Sequence, residues 1–375
     1  MQPIQMVDLK RQYLRIKPEI DQAILDVLDS TAFINGRPVQ DFASALAAYM
    51  HVKYVIPCAN GTDALQIALM ALGLEPGDEV ITPSFTFIST VEVIALLRLT
   101  PVFIDVDPRS YCLDTRLLEK AITKRTRAII PVHLYGQSTD MEPLLEFAGQ
   151  HALHIIEDNA QAIGSDYRFQ NGQLVKTGSM GAVSCTSFFP SKNLGGYGDG
   201  GAMCTSDEAL AQRLRMIANH GQRERYYHDI VGCNSRLDTL QAAVLSVKLR
   251  FLDRYIDARI RVADGYDRAF AGHSRIITPY RAPNTRHVFH QYTLQIEGGG
   301  RDQLQQYLAG QGIPSMIYYP VPAHRQKMFA SFGAGDAVLP VTDRLSERVL
   351  SLPIHTEMEE DQLEFIISRV LDFFH

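Results

Sequence analysis

The sequence predicts an α/β protein: a large domain built on a mostly parallel mixed sheet flanked by helices, followed by a smaller C-terminal α/β domain. Three observations carry this. Between residues 79 and 158 short apolar runs rich in β-branched residues alternate with segments of helical spacing. The connecting segments are long enough for helical crossovers, which parallel neighbours need. Beyond residue 250, after one long apolar-periodic stretch, the pattern becomes less regular.

Taken in order, "EVIT" (79–82) reads as a buried strand, "TVEVIALLRL" (90–99) as a helix and "PVFIDV" (101–106) as a strand. "LLEKAI" (117–122) is helical and "RAIIPV" (127–132) a strand. "MEPLLEFAGQH" (141–151) is helical, and "LHIIED" (153–158) and "GAVSCTSF" (181–188) are strands. "RLDTLQAAVLSVKLRFLDRYI" (236–256) reads as one long helix. The expected division is 1–250 for the large domain and 251–375 for the small one, with an N-terminal arm folding back onto the latter. In open α/β sheets ligands sit beyond the carboxyl ends of the strands, so polar residues just after each strand are the candidates.

The bulk properties exclude several classes. The chain has 375 residues, enough for two cores. Its net charge of −6 gives no footprint for nucleic acid or an anionic membrane. The start, "MQPIQMVDLKRQYLRIK", lacks the apolar core of a signal peptide. The apolar run "ALQIALMALGL" (64–74) is too short to span a bilayer. Five scattered cysteines without a C-x-x-C pair suit reduced core residues of a cytoplasmic protein, and none has zinc-ligand spacing, so no metal is expected.

The densest motif is "SFFPSKNLGGYGDGG" (187–201). Gly196, Gly198 and Gly201 match G-x-G-x-x-G, but the dinucleotide fingerprint needs a following helix. Here "GGAMCTS" reads as a turn into a strand, so a nicotinamide site is rejected. No G-x-x-x-x-G-K-[ST] is present.

Another constellation survives. In "CANGTDALQIAL" (58–69) an Asn60-Gly61-Thr62 turn opens directly into a helix. Free N–H groups there can hold a phosphate, and Thr62 adds a hydroxyl; an ordinary N-cap gives the same pattern. "SFTFIST" (84–90) sets aromatics after a strand, either to stack on a flat ring or as core. "IIEDNAQAIG" (155–164) ends a strand in Glu157-Asp158, with Gln161 on the next turn. Lys192 follows Ser187 and the last strand, and the glycines around it are expected to give its loop backbone freedom. A phosphate cup, a stacking partner, a carboxylate and a lysine are together what pyridoxal 5'-phosphate requires: the carboxylate keeps the pyridine nitrogen protonated and the lysine forms the Schiff base.

These motifs resemble the DegT–DnrJ–StrS family of nucleotide-sugar aminotransferases. The resemblance runs from "VDLKRQY" through "ANGTDAL", "GDEVITPSFTFIST", "PVFIDVDP", "IIEDNAQAIGS" and "SFFPSKNLGGYGDGG" to "GCNSRLDTLQAA", "YYPVPAH" and "LSLPIH". It implies a fold-type I aminotransferase acting as a homodimer with shared active sites. It implies Lys192 as the Schiff-base lysine, Asp158 at the pyridine nitrogen, Gln161 at the ring's phenolic oxygen and Phe87 on the ring. Gly61, Thr62 and Ser187 would bind the phosphate, and Asn234 would reach the phosphate of the neighbouring subunit. Relatives with histidine in place of the lysine dehydrate instead; this chain keeps lysine, so amino transfer is expected.

Within the family the chain looks most like enzymes acting on UDP-2-acetamido-2-deoxy-3-oxo-D-glucuronate. These take the amino group from L-glutamate and make a 3-amino sugar for surface polysaccharide, including lipopolysaccharide. A sugar carboxylate suits a two-pronged arginine, and Arg236 is the candidate, with a structural ion pair as the alternative. His324 is expected to help hold the nucleotide sugar, or else to be a half-exposed loop residue. A 4-keto or another 3-keto nucleotide hexose is the rival substrate, and a non-catalytic regulatory relative the rival class.

Overall fold

The computed structural model describes residues 2–332 and 337–375. Three helices come first: α1 (Leu9–Arg15), α2 (Lys17–Ser30) and α3 (Arg37–Met50). The large sheet then takes β1 (Tyr54–Cys58), β2 (Glu79–Pro83), β3 (Thr100–Ile104), β4 (Thr126–Ile129) and β5 (His154–Asp158). A side hairpin of β6 (Asp166–Arg168) and β7 (Leu174–Lys176) intervenes before β8 (Val183–Ser187) and β9 (Gly201–Thr205) complete the sheet.

The strand order is β1-β9-β8-β5-β4-β2-β3, with β9 antiparallel to both neighbours and the other pairs parallel. Helices α4 (Gly61–Ala71), α5 (Ser89–Leu96), α6 (Leu118–Ala121), α7 (Met141–Gln150) and α8 (Glu208–Ala218) accompany the sheet. Strands covered on both faces need not alternate in polarity; β2 and β9 are buried at every residue, Glu79 and Thr82 of β2 included, and neither shows a regular apolar–polar alternation. One core joins Ile67, Leu69, Val80, Ile156, Met203 and Leu214; another joins Phe42, Leu46, Phe188 and Leu245.

After a small hairpin of β10 (Gln222–Glu224) and β11 (Tyr227–His228), the stretch expected to be one long helix is two, α9 (Thr239–Leu249) and α10 (Leu252–Phe270). The Phe251 amide bonds the Lys248 carbonyl and closes α9. α9 packs on α2 and α3, and Leu252 and Ile256 at the start of α10 stay in the core of Leu245, but further along α10 Ala263, Tyr266 and Phe270 enter a core shared with Leu294, Leu352 and Ile366. Periodicity alone does not reveal this change of partner. The second core lies on an antiparallel sheet of β12 (Ile276–Ile277), β13 (Tyr292–Ile296) and β14 (Val349–Leu352), with α11 (Arg301–Gly310), α12 (Pro340–Arg348) and α13 (Glu360–Asp372).

The N-terminal segment touches this second core. Ile4 packs against it, the Gln2 carbonyl accepts from Gln362 Nε2 at 3.2 Å, and Arg11 and Arg15 pair with Glu359 and Glu357.

Candidate active site

The phosphate-sized cup is built where β1 gives way to α4. Asn60 caps α4, its Oδ1 accepting from the Asp63 amide at 2.8 Å. With the Ala64 amide taken by the Asn60 carbonyl, the amides of Gly61 and Thr62 are the ones left in the first turn for a ligand. Gly61 lies against the end of β8: a Cβ there would sit 2.7 Å from Ser187 Cβ. A glycine is required by this approach. Thr62 Oγ1 is 2.7 Å from Ser89 Oγ, and Ser187 Oγ accepts from the Phe189 amide at 3.3 Å.

Asp158 ends β5, hydrogen-bonded to the parallel strand β8. Its Oδ2 accepts from Thr90 Oγ1 at 2.7 Å and its Oδ1 from the Ala160 amide at 3.1 Å. Adjacent Glu157 points to the other face, as strand alternation requires. It is completely buried, accepting from His133 Nε2 at 2.9 Å and from the amides of Gly178, Met180 and Gly181. Burial pushes its pKa up, but His133 and these amides outweigh that and hold it below the usual value. Glu157 is a fastening; Asp158 faces a cavity.

That cavity, about 800 Å³, gathers Gly61, Thr62, Phe87, Asp158, Gln161, Ser187 and Lys192. Sites of this size suit a cofactor with part of a substrate. Lys192 is half-buried, and its amine makes no hydrogen bond or ion pair with any described residue. Burial lowers its pKa to about 8, with the Asp158 charge pulling the other way. Gln161 is fixed at both ends, Oε1 accepting from the Tyr135 amide at 2.8 Å and Nε2 donating to the Tyr319 hydroxyl at 3.1 Å. Phe87 is 52% exposed and lies 6.1 Å, centroid to centroid, from Tyr319.

The glycines beside Lys192 act differently from the expectation. None in 195–201 has a positive φ. A Cβ on Gly195 would meet the Pro190 carbonyl oxygen at 2.2 Å, and one on Gly201 the Asn60 carbonyl at 2.4 Å. They permit close packing of the loop against the cup, not backbone freedom.

Three predicted residues lie outside this cavity in the single chain. Asn234 is exposed, on an isolated bridge to Asn219. Arg236 lines a separate cavity of about 500 Å³ with Lys53 and Arg215, its Nη2 3.4 Å from Asn219 Oδ1. His324 is buried, not half-exposed: its Nδ1 is 2.7 Å from Ser84 Oγ and its Nε2 3.3 Å from the Asp343 carboxylate. Sequence reasoning missed His290, Tyr318 and Tyr319, which line the main cavity. The tyrosines sit in "YYPVPAH", a motif already quoted; His290 carries no spacing signal and arrives through tertiary packing. Among the described residues no group of three His, Cys, Asp or Glu could hold a metal ion, and no helix is long and apolar enough to cross a membrane.

Comparison with known proteins gives the family. The pattern of the DegT/DnrJ/EryC1/StrS aminotransferase family matches residues 14–371. A "Pleiotropic regulatory protein" of Geobacillus stearothermophilus is 45% identical over 99% of this chain and 98% of its own length. The UDP-2-acetamido-2-deoxy-3-oxo-D-glucuronate aminotransferase of Pseudomonas aeruginosa is 46% identical over 98% of this chain and 99% of its own. Among solved structures, NtdA of Bacillus subtilis with bound cofactor PMP superposes with a TM-score of 0.92 at 28% identity, covering 99% of this chain and 85% of that one.

Proposed function

The chain belongs to the DegT/DnrJ/EryC1/StrS aminotransferase family, and from that premise we propose that it moves an amino group from L-glutamate to UDP-2-acetamido-2-deoxy-3-oxo-D-glucuronate. The 3-amino sugar formed would serve surface polysaccharide synthesis, including lipopolysaccharide. The enzyme is a pyridoxal-phosphate-dependent sugar aminotransferase. The observation that carries the amino-transfer chemistry is the cavity that joins Lys192, Asp158 and the cup around Gly61, and the sugar is supported by the likeness to the Pseudomonas aeruginosa enzyme.

The residues present fit that cofactor. The cup is a cradle that a Cβ on Gly61 would fill, and Lys192 offers an amine without a partner. When bound, pyridoxal phosphate supplies an aldehyde for the lysine and a ring that draws electrons from the carbon bearing the amino group. The chain's own groups do the rest. With its pKa near 8, Lys192 is partly neutral near pH 7, free to act as nucleophile and as proton carrier. Asp158, steadied by Thr90 and the Ala160 amide, holds a proton on the ring nitrogen. Gln161 serves the ring's phenolic oxygen, Phe87 covers a ring face, and Gly61, Thr62 and Ser187 hold the phosphate.

His324 acts through the segment it pins. Its amide donates to Ser84 Oγ and the Ala323 amide to the Ser84 carbonyl, which anchors the chain just after Tyr318 and Tyr319. Asn234 and Arg236 serve the site of a second copy in a homodimer. Exposed Phe33, Ile34, Tyr226, Tyr227 and Val231 offer apolar surface for such an association. Mixing inactive Lys192→Ala and Asn234→Ala protomers should then restore activity, because a mixed dimer has one intact site; no recovery after subunit exchange would return Asn234 to its own chain.

The substrate is tested with a panel of keto sugars: the 3-keto uronate, a neutral 3-keto hexose and a 4-keto hexose nucleotide, each with L-glutamate and product analysis by mass spectrometry. Preference for the uronate is expected. Preference for a 4-keto hexose removes the sugar assignment and leaves amino transfer intact.

A further inference from the structure

Tyr319 lines the main cavity with its ring 6.1 Å from that of Phe87, and its hydroxyl accepts from Gln161 Nε2 at 3.1 Å. No role assigned above uses the proton of that hydroxyl.

The direction of the Gln161 bond is fixed by Tyr135. The Tyr135 amide donates to Gln161 Oε1 at 2.8 Å. Turning the Gln161 amide over would set its NH₂ against that N–H and orphan a buried backbone donor, which is costlier than an unused lone pair. Gln161 is 8% exposed and Tyr135 2%, so little water reaches the pair.

Tyr135 holds the other partner as well. Its hydroxyl donates to the Tyr318 carbonyl, and its own carbonyl accepts from the Gln291 amide at 3.3 Å. It does this at φ +57° and ψ +3°, a left-handed conformation that is costly for a residue with a side chain and persists where the surroundings impose it. One strained residue thus sets Gln161 and the chain entering Tyr319 against each other.

The hydrogens then have defined places. Gln161 Nε2 carries two N–H bonds: one goes to Tyr319, and the other is left for the ring's phenolic oxygen. The two diverge by about 120°, so at ordinary hydrogen-bond lengths the Tyr319 oxygen and the atom served by the second N–H lie about 5 Å apart. The Tyr319 hydroxyl is therefore out of reach of that phenolic oxygen. It still carries its own proton, and among the described residues no group accepts it. Burial pushes the Tyr319 pKa up, against the lowering by Gln161 and with the Asp158 charge adding to the rise, so the group stays a phenol.

We propose that Tyr319 is a specificity-determining residue: its O–H donates to an oxygen of the bound substrate, an atom other than the one Gln161 serves. The acceptor is a carboxylate or hydroxyl oxygen beside the carbon that gains or loses the amino group. Two sources carry that chemistry, the α-carboxylate of the amino donor and a ring hydroxyl of the keto sugar next to the reacting carbon. A substrate without an oxygen there leaves the hydroxyl unpaired and is disfavoured. The inference rests on the reading of this cavity as the aminotransferase site. No covalent step is assigned to Tyr319.

Binding without turnover tests this. The pyridoxal-phosphate form is titrated calorimetrically with 2-oxoglutarate, which keeps both carboxylates of glutamate and has no amine. The pyridoxamine-phosphate form, which has no aldehyde, is titrated with the 3-amino sugar nucleotide. Tyr319→Phe keeps the ring beside Phe87 and removes the O–H. Loss of a bond to a carboxylate should weaken binding about ten- to a hundredfold, and loss of one to a hydroxyl about two- to tenfold. Weaker 2-oxoglutarate identifies the carboxylate, weaker amino sugar the hydroxyl, and weakening of both a donor used in each half-reaction. Unchanged affinity for both ligands overturns the proposal.

The variant also deprives Gln161 of an acceptor, so the absorption of the loaded protein across pH is recorded as a readout of the ring oxygen. With Tyr135 still holding Gln161, its midpoint should stay within about 0.3 pH unit of wild type. A shift of about one unit or more would place the effect at Gln161 and refute a direct bond to substrate. If Tyr319→Phe does not fold, crystal structures of wild type with each ligand decide: a ligand oxygen within hydrogen-bond reach of the Tyr319 hydroxyl is expected, and a hydroxyl bonded only to Gln161 and water in both refutes the donor. Failure of the proposed sugar shows differently, as wild type that does not bind the amino sugar, and the 2-oxoglutarate titration still reads the bond.

Discussion

Lys192 and Lys248 are both pushed below the ordinary lysine value by burial, the first to about 8 and the second to about 7. Their surroundings share little else. Lys192 is half-buried beside a cavity that also holds a carboxylate, a helix start and an exposed aromatic face. Lys248, on α9, is 1% exposed; its ammonium lies 5.3 Å from the Tyr197 ring, and Arg259 adds a charge of the same sign. A depressed pKa is therefore no mark of a site by itself. The room next to the amine, and the groups that would receive what it binds, make the difference.

The comparison breaks most visibly by substitution. Lys192→Ala should lower kcat by about three decades or more, because the nucleophile and proton carrier are gone. Lys248→Met should leave steady-state rates within about threefold, since Lys248 touches nothing in the cavity. Similar losses in both would mean that burial, not location, set the roles.

Asp158→Asn comes next, with kcat reduced by on the order of 10² and the fold kept. An amide cannot hold the ring proton, and that charge matters most in the transition state. Thermal melting of the variant, measured alongside its kcat, separates chemistry from stability. Near-normal kcat would exclude the role.

How much of this was legible in the sequence follows from what each residue depends on. Strands β2, β5 and β8 announce themselves because both their faces are largely covered, whereas β1, partly open at Tyr54 and Pro57, went unread; Asp158 and Lys192 stand out because the ends of strands and the loops after them are local features. The break at Arg250 and Phe251 does not show, because both halves keep helical spacing while their partners change. His290 was invisible for a similar reason: the contacts that carry it into the cavity come from Arg259 and the 135–136 turn, far away in the chain. The glycines of 195–201 were visible but misread, because sequence does not distinguish a glycine needed for its φ from one needed for the space it leaves.

Arg236→Lys sharpens the substrate side. Lysine keeps the charge and loses the two-pronged geometry. One charge-assisted hydrogen bond is worth roughly 1.5–3 kcal/mol, so kcat/KM for the uronate should fall by about one to two decades while a neutral 3-keto hexose changes little. Equal falls for both sugars would make Arg236 structural or assign it to the cofactor.

The smallest effect is on stability. Lys248 has its folded pKa near 7 against an ordinary 10.5, so between those values the folded protein binds fewer protons than the unfolded chain. Its contribution to stability therefore rises with pH across that window, and its cost is fully present below about 7. Lys192 of the cofactor-free protein behaves in the same sense but is common to both proteins compared. Lys248→Met should raise the melting temperature of the cofactor-free protein more at about pH 6.5 than at about pH 9.5. An equal change at both would show that Lys248 is not held neutral.

The central claim is that Lys192, and not the more strongly perturbed Lys248, meets the cofactor. Borohydride reduction of the protein loaded with pyridoxal phosphate, followed by peptide mapping, tests it most directly. The account predicts one reduced adduct per chain, on Lys192, absent from Lys192→Ala and retained in Lys248→Met. An adduct on Lys248 or on any other lysine would contradict it.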